Sequence, residues 1–133
     1  MSKVFSRLTI FLESLRISAL FLVWRATHLQ SAGRALIRAL EYEEPLRMLA
    51  GMLLVKSKQR AIPLLMEAIH RRYQLPIILV ILGDIGDETT RHKIQEFTYD
   101  PDPQVVLAAR DAMRILEAHR STPPSHPPLE QDE

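Results

Sequence analysis

Apolar residues recur along this chain at steps of three and four, and strict alternation is scarce. Side chains at i, i+3, i+4 and i+7 share one face of an α-helix, whereas a half-buried strand needs a period of two. Leu8, Phe11, Leu12, Leu15, Ala19 and Leu22 form one such stripe, Leu36, Ile37 and Leu40 a second, and Leu46, Leu49, Met52 and Leu53 a third. Ile62, Leu65, Met66 and Ile69 continue the series, followed by Ile78, Ile81, Leu82 and Ile85, then Val105, Ala109, Ala112, Met113 and Leu116. The pattern implies an all-α fold.

Punctuation divides the stripes. Proline suits the first helical turn, where its missing N–H would be unpaired anyway. Pro45, Pro76 and Pro103 each precede an apolar run, and Pro63 sits near a fourth helix start. Asp87 and Asp102 are placed as N-caps, with carboxylates able to accept from the first free amides. Together these signals predict helices over about 4–28, 31–42, 45–56, 60–72, 75–85, 88–98 and 103–119. The last six fall into three pairs, with Ala32 and Leu40, Ala61 and Ile69, and Thr89 and Phe97 at matching positions. One pair cannot bury its apolar face alone, so a stack of three is expected.

Length and composition fit this picture and exclude several alternatives. The 133 residues suit one domain large enough for a core without staples. The absence of cysteine excludes disulfides, a thiol nucleophile and a thiolate zinc site. A net charge of +1 gives no basic excess of the kind nucleic acid demands. Lys3 and Arg7 precede an apolar stretch, but Glu13, Arg16 and Arg25 interrupt it and no small-residue cleavage site follows. Neither a signal peptide nor a spanning helix is expected, and the location expected is cytoplasmic.

Three segments resemble a known family. Ala61-Ile-Pro-Leu-Leu-Met-Glu-Ala-Ile69 resembles the first helix of a HEAT repeat. Ile81-Leu-Gly-Asp-Ile-Gly-Asp87 is similar to the end of a second helix, often Ala-Leu-Gly-x-Ile-Gly-Asp in that family. Asp100-Pro-Asp-Pro-Gln-Val-Val-Leu-Ala-Ala-Arg-Asp-Ala-Met113 resembles the turn and second helix of the next repeat. The subtype it most resembles is the short HEAT-like repeat found in phycobilisome lyases and many other bacterial proteins. The likeness covers residues 60–119 well and 31–56 weakly, and does not reach 1–28. It implies a short α-solenoid of the HEAT or armadillo type over residues 1–120. Two departures, Val105-Val106 for the family's Val-Arg and the run Leu75-Pro-Ile-Ile-Leu79, suggest more apolar surface than usual.

Chemistry-bearing clusters are sparse. Glu88 and His92 fall on one helix face, near Asp84 and Asp87, and Glu67 and His70 form a similar pair. A metal site rests on three or more convergent ligands, so caps and solvated pairs explain these better. No nucleophile elbow, phosphate loop or metalloprotease motif is present. Lys56, Lys58, Arg60, Arg71 and Arg72 could gather as a phosphate-binding edge, but Glu41, Glu43 and Glu44 offset them. No catalytic residue, metal or cofactor is expected.

The two ends of the chain differ from the rest. Phe5, Ile10, Ile17, Leu20, Phe21 and Trp24 give the first helix a second apolar face beside the Leu8 stripe. A helix apolar on most sides is buried on two of them or associates with something else. The expectation is a cap over the open end of the stack, with a homodimer contact or a membrane surface as alternatives. Residues 121–133 hold four prolines and end in acidic groups, a composition that favours a disordered tail. The function expected is a noncatalytic protein-interaction or scaffold module. Arg110 and Arg114 on the last helix, with Phe21 and Trp24 on the first, are its candidate binding residues. The alternatives are an accessory or chaperone for an enzyme, in the cofactor-lyase manner, and a nucleic-acid-binding solenoid.

Overall fold

The computed structural model describes residues 2–28 and 30–121. Among them are seven α-helices and no strand: α1 Ser2–Thr27, α2 Gln30–Arg38, α3 Leu46–Ser57, α4 Ile62–His70, α5 Leu75–Ile85, α6 Arg91–Glu96 and α7 Pro103–Ser121. Single 3-10 turns extend the helices at Ala39–Glu41, Lys58–Arg60, Glu88–Thr90 and Phe97–Tyr99.

Most helix starts fall near where the punctuation places them, although Asp87 caps a 3-10 turn rather than an α-helix. Pro103 opens α7, and Pro63 and Pro76 lie in the first turns of α4 and α5. Asp102 accepts from the Gln104 N–H at 2.9 Å, and Asp87 from the Thr89 N–H at 2.8 Å. A cap the sequence reading missed is Glu44, whose carboxylate accepts from the Met48 N–H at the start of α3.

The expected helix over 60–72 is shorter at both ends. Its start falls in the 3-10 turn Lys58–Arg60, whose first residue, Lys58, has φ 52°. Its end is set by left-handed backbone at Arg72 and Gln74, which turns the chain back within four residues. The Arg72 and Tyr73 N–H groups then donate to the Ile69 and Ala68 carbonyls, each at 2.9 Å, so the last turn is not left unpaired. The expected helix over 88–98 likewise resolves into the six residues of α6 between two 3-10 turns. Ser121, expected to begin the tail, instead closes α7, with its hydroxyl donating to the Glu117 carbonyl at 3.0 Å. The remainder of the expected tail lies outside the described residues.

Packing proceeds along the chain. α1 lies on α2 and α3; α2 lies on α3 and α4; α3 and α4 both meet α5; α5 and α6 both meet α7. The interior contains Leu36 and Leu40 near one end, Leu54, Leu65 and Ile78 in the middle, and Ile94 and Leu116 at the other. α5 sits among α3, α4 and α7, which explains why it is almost wholly apolar. The run Leu75-Pro-Ile-Ile-Leu79 therefore does not add apolar surface as expected: Leu75, Ile78 and Leu79 are buried.

The two glycines of the Ile81–Asp87 motif have separate structural jobs. Gly83 lets α5 and α7 touch: a Cβ built there would lie 2.7 Å from the Ala112 Cα and 2.9 Å from its carbonyl oxygen. Gly86 ends α5 at φ 76°, where its N–H donates to the Leu82 carbonyl. Between neighbouring turns, Arg72 grips Asp100 through two 2.9 Å hydrogen bonds, and the Asp100 side chain is 7% exposed. The guanidinium, helped by the Asp102 N–H, holds the Asp100 carboxyl below the usual carboxylate range.

Candidate interaction surfaces

The two apolar faces of α1 have opposite fates. Ile17, Phe21 and Trp24 are buried against the neighbouring helices, with Ile10 and Leu20 half-buried beside them. Trp24 fits because α2 offers Gly33 opposite its ring; a Cβ there would fall 2.8 Å from Cε2. On the other side, Leu8, Phe11, Leu12, Leu15, Leu22 and Val23 are between 42% and 61% exposed. Burying a Leu or Phe side chain fully is worth about 1.5–3 kcal/mol, so six half-bare ones leave roughly 5 kcal/mol unrealised. Scattered apolar residues on a surface are ordinary, but a continuous apolar helix face is a candidate interaction surface.

Phe21 and Trp24, the aromatic candidates from the sequence, thus belong to the chain's own core. The residues left facing outward are those of the Leu8 stripe. Periodicity alone could not separate the two, because both faces carry the same spacing of leucines and aromatics. The small residue at position 33 was the one available sign of where the tryptophan docks.

Arg110 and Arg114 lie in a different place. Both are exposed on α7, one turn apart, and Leu107 precedes them on the same face at 61% exposure. Arg114 pairs with Asp111 within the helix. α7 packs on α5 and α6 and α1 on α2 and α3, so the four sequence candidates do not assemble into one site.

A third surface was not visible in the sequence. α2 and α4 flank a cleft of about 370 Å³ whose floor includes Ile37, Leu64 and Ala68. Its rim carries Arg34, Arg38, Arg71 and Glu67, and the Glu67 carboxylate stands 3.4 Å from Arg34 and 3.5 Å from Arg71. Tyr73 lines the same cleft, but its hydroxyl is shut off from solvent and makes no hydrogen bond. Burial, reinforced by the nearby Glu41 carboxylate, pushes its ionisation up to about 12.

The remaining clusters are occupied with structural work. The Glu88 carboxylate is held by Arg91 in two hydrogen bonds, at 2.7 and 2.9 Å, and Arg91 also reaches Glu117 on α7 at 3.0 Å. That contact with Arg91 keeps the Glu88 carboxyl below its ordinary range and the guanidinium above its own. His92 faces Glu96 at 3.7 Å rather than Glu88, so the suspected Glu88–His92 pair is not formed. Glu67 is taken up by the two cleft arginines rather than His70. Of the basic group, Arg72 is committed to Asp100, Arg71 to Glu67, and Arg60 to the Arg25 carbonyl at 3.3 Å. Among the described residues no three His, Asp or Glu side chains converge as a metal site, and no helix is long and apolar enough to cross a membrane. Compared with known proteins, the chain matches no family model, no curated protein and no solved structure.

Proposed function

We propose that this protein is a noncatalytic interaction module, a short HEAT-like stack of helical pairs whose outward-facing first helix engages a partner. The observation that carries this reading is the bare face of α1, where Leu8, Leu12, Leu15 and Leu22 stand more than half exposed on a helix whose other side is firmly docked. The stack itself is supported by the order of packing, in which α2 meets α4, α3 meets α5 and α5 meets α7. Successive pairs of a solenoid touch in that way. The resemblance over residues 60–119 supports it as well, since Gly83 and Gly86 fill structural roles that a repeat motif would preserve.

The test is a double variant, Leu12→Glu with Leu15→Glu. Both side chains point away from the core, so helix content and melting should match the parent. Affinity capture from native cell extract should lose the proteins that the parent retains. Identical capture by parent and variant, with self-association also unchanged, would rule out α1 as the interaction surface.

One observation favours a second reading, in which the chain handles a ligand for an enzyme in the cofactor-lyase manner. The α2–α4 cleft combines an apolar floor with three arginines on its rim, which suits an amphipathic anion. It predicts an absorbing ligand that stays with the purified protein and is released on unfolding; ligand-free protein of full stability would discard it.

A further inference from the structure

The outward face of α1 has a finer pattern than exposure alone conveys. Leu8, Leu12, Leu15, Ala19, Leu22 and Ala26 follow one another at steps of four, three, four, three and four residues, all without a polar atom in the side chain. That is the two-position heptad seam of a coiled coil. It lies opposite the side of the helix that docks through Ile17 and Trp24, so a second helix can approach without meeting the body of the protein.

We infer that the partner on this face is a second copy of the same chain, with the two α1 helices running antiparallel about an axis beside Arg16. This rests on reading the face as the interaction surface, and it adds the identity and orientation of the occupant. Antiparallel pairing places Leu8 opposite Ala26, Leu12 opposite Leu22 and Leu15 opposite Ala19, and symmetry repeats each layer on the other half. Every layer then holds at least one leucine, and each alanine faces the large residue that fills its space. Parallel pairing would instead set Ala19 on Ala19 and Ala26 on Ala26, leaving two underfilled layers in a seam of six. On one flank the antiparallel register brings Phe11 against Arg25 of the second copy, a ring and a cation. On the other flank Arg16 meets its own copy, and each carries Glu13 of its own helix at 3.8 Å to blunt the repulsion. A lipid surface would use the same apolar side chains, but it has no need of a leucine–alanine complement.

Size sets the strength. Six half-exposed side chains per copy make an interface on the order of 1,000 Å², the lower edge for a specific complex, so association in the micromolar range is expected.

Sedimentation equilibrium of the full chain tests this directly. The mass should rise with concentration from 15.3 kDa towards twice that value. Leu12→Glu should weaken association at least tenfold, while Leu107→Glu, an equally exposed leucine on α7, should leave it unchanged. Because the chain has no cysteine, orientation can be read with single thiols and a short bis-maleimide. Arg16→Cys should cross-link copy to copy. Ala26→Cys should not, since its two thiols would lie about 27 Å apart along the helices. A mixture of Leu8→Cys and Ala26→Cys chains should cross-link to each other. A chain that stays monomeric at all concentrations overturns the inference, as does rapid cross-linking through Ala26→Cys alone. Monomer that sediments with phosphatidylserine vesicles, and no longer does so as Leu12→Glu, would give the face to lipid instead. If association fails but Leu12→Glu still abolishes capture of other proteins, only the second copy is wrong. If neither association nor capture responds to Leu12→Glu, the interaction reading falls as well.

Discussion

The same substitution, glycine to alanine inside a helix, should have opposite signs at positions 51 and 83. In a helix interior alanine is favoured over glycine by about 1 kcal/mol, because glycine loses more backbone freedom on folding. At Gly51 on α3 the added methyl would meet only the Ile81 Cδ1, at 3.8 Å, which is ordinary contact. The full propensity gain should appear, about 1 kcal/mol, or roughly 4 °C in Tm for a domain of this size. At Gly83 the methyl would sit 2.7 Å from the Ala112 Cα and 3.0 Å from its Cβ. Carbon atoms prefer about 3.5–4.0 Å, so α5 and α7 would have to part by roughly 1 Å. Overpacking usually costs about 1–3 kcal/mol, and backbone cannot swing aside as a side chain can, so the upper end applies. Setting the propensity gain against it leaves a net loss of about 2 kcal/mol and a gap of about 3 kcal/mol between the two variants. Urea denaturation followed by far-ultraviolet circular dichroism would show it, as midpoints shifted in opposite directions by roughly 0.5 and 1 M at a slope of ~2 kcal/mol/M. A Gly83→Ala protein as stable as the parent would mean that α5 and α7 do not meet at Ala112, and the packing described for the second half of the chain would be wrong.

Other outcomes follow from the same structure. Trp24→Ala should destabilise the protein by about 3–5 kcal/mol, because it empties a fully enclosed site between α1 and Gly33; a thermal melt that hardly moves would show that α1 is not docked through this face. Tyr73→Phe should be neutral or stabilising by up to about 1 kcal/mol, since it removes a buried hydroxyl that has no partner, and a clear loss in a urea titration would reveal a hydrogen bond at that oxygen. The Arg72–Asp100 contact should impose a pH dependence. The folded Asp100 carboxyl lies below its unfolded value of about 3.9, so its stabilisation is present above that pH and is lost as pH falls through the folded value. Stability measured for the parent and Asp100→Asn should therefore differ at neutral pH and converge in acid; a difference unchanged by acid would contradict the assignment.

Much of the fold was legible in the sequence because helix signals are local. The three-and-four spacing, the prolines of the first turns and the cap at Asp102 act within a few residues, and the structure has helices where they point; Asp87 caps a 3-10 turn that leads into α6. Helix ends were less legible where backbone geometry decided them. Nothing in Arg72 or Gln74 as residue types announces a left-handed turn, since both side chains normally avoid it. The choice between the two faces of α1 was beyond the sequence, because each satisfies the same periodicity. It was decided by what α1 meets: a glycine at position 33 makes room for the Trp24 ring, and the Ile17–Phe21–Trp24 side then fills the space over α2 and α3. The cleft with its orphaned tyrosine belongs to the same class, since Arg34 and Arg71 reach one carboxylate only after α2 and α4 pack together. Sequence alone determined that this chain would be helical, where most helices begin, and that the first would be apolar on two sides. Tertiary structure decided which of those sides became core and which was left for something else, because burial is a property of neighbours distant in the chain.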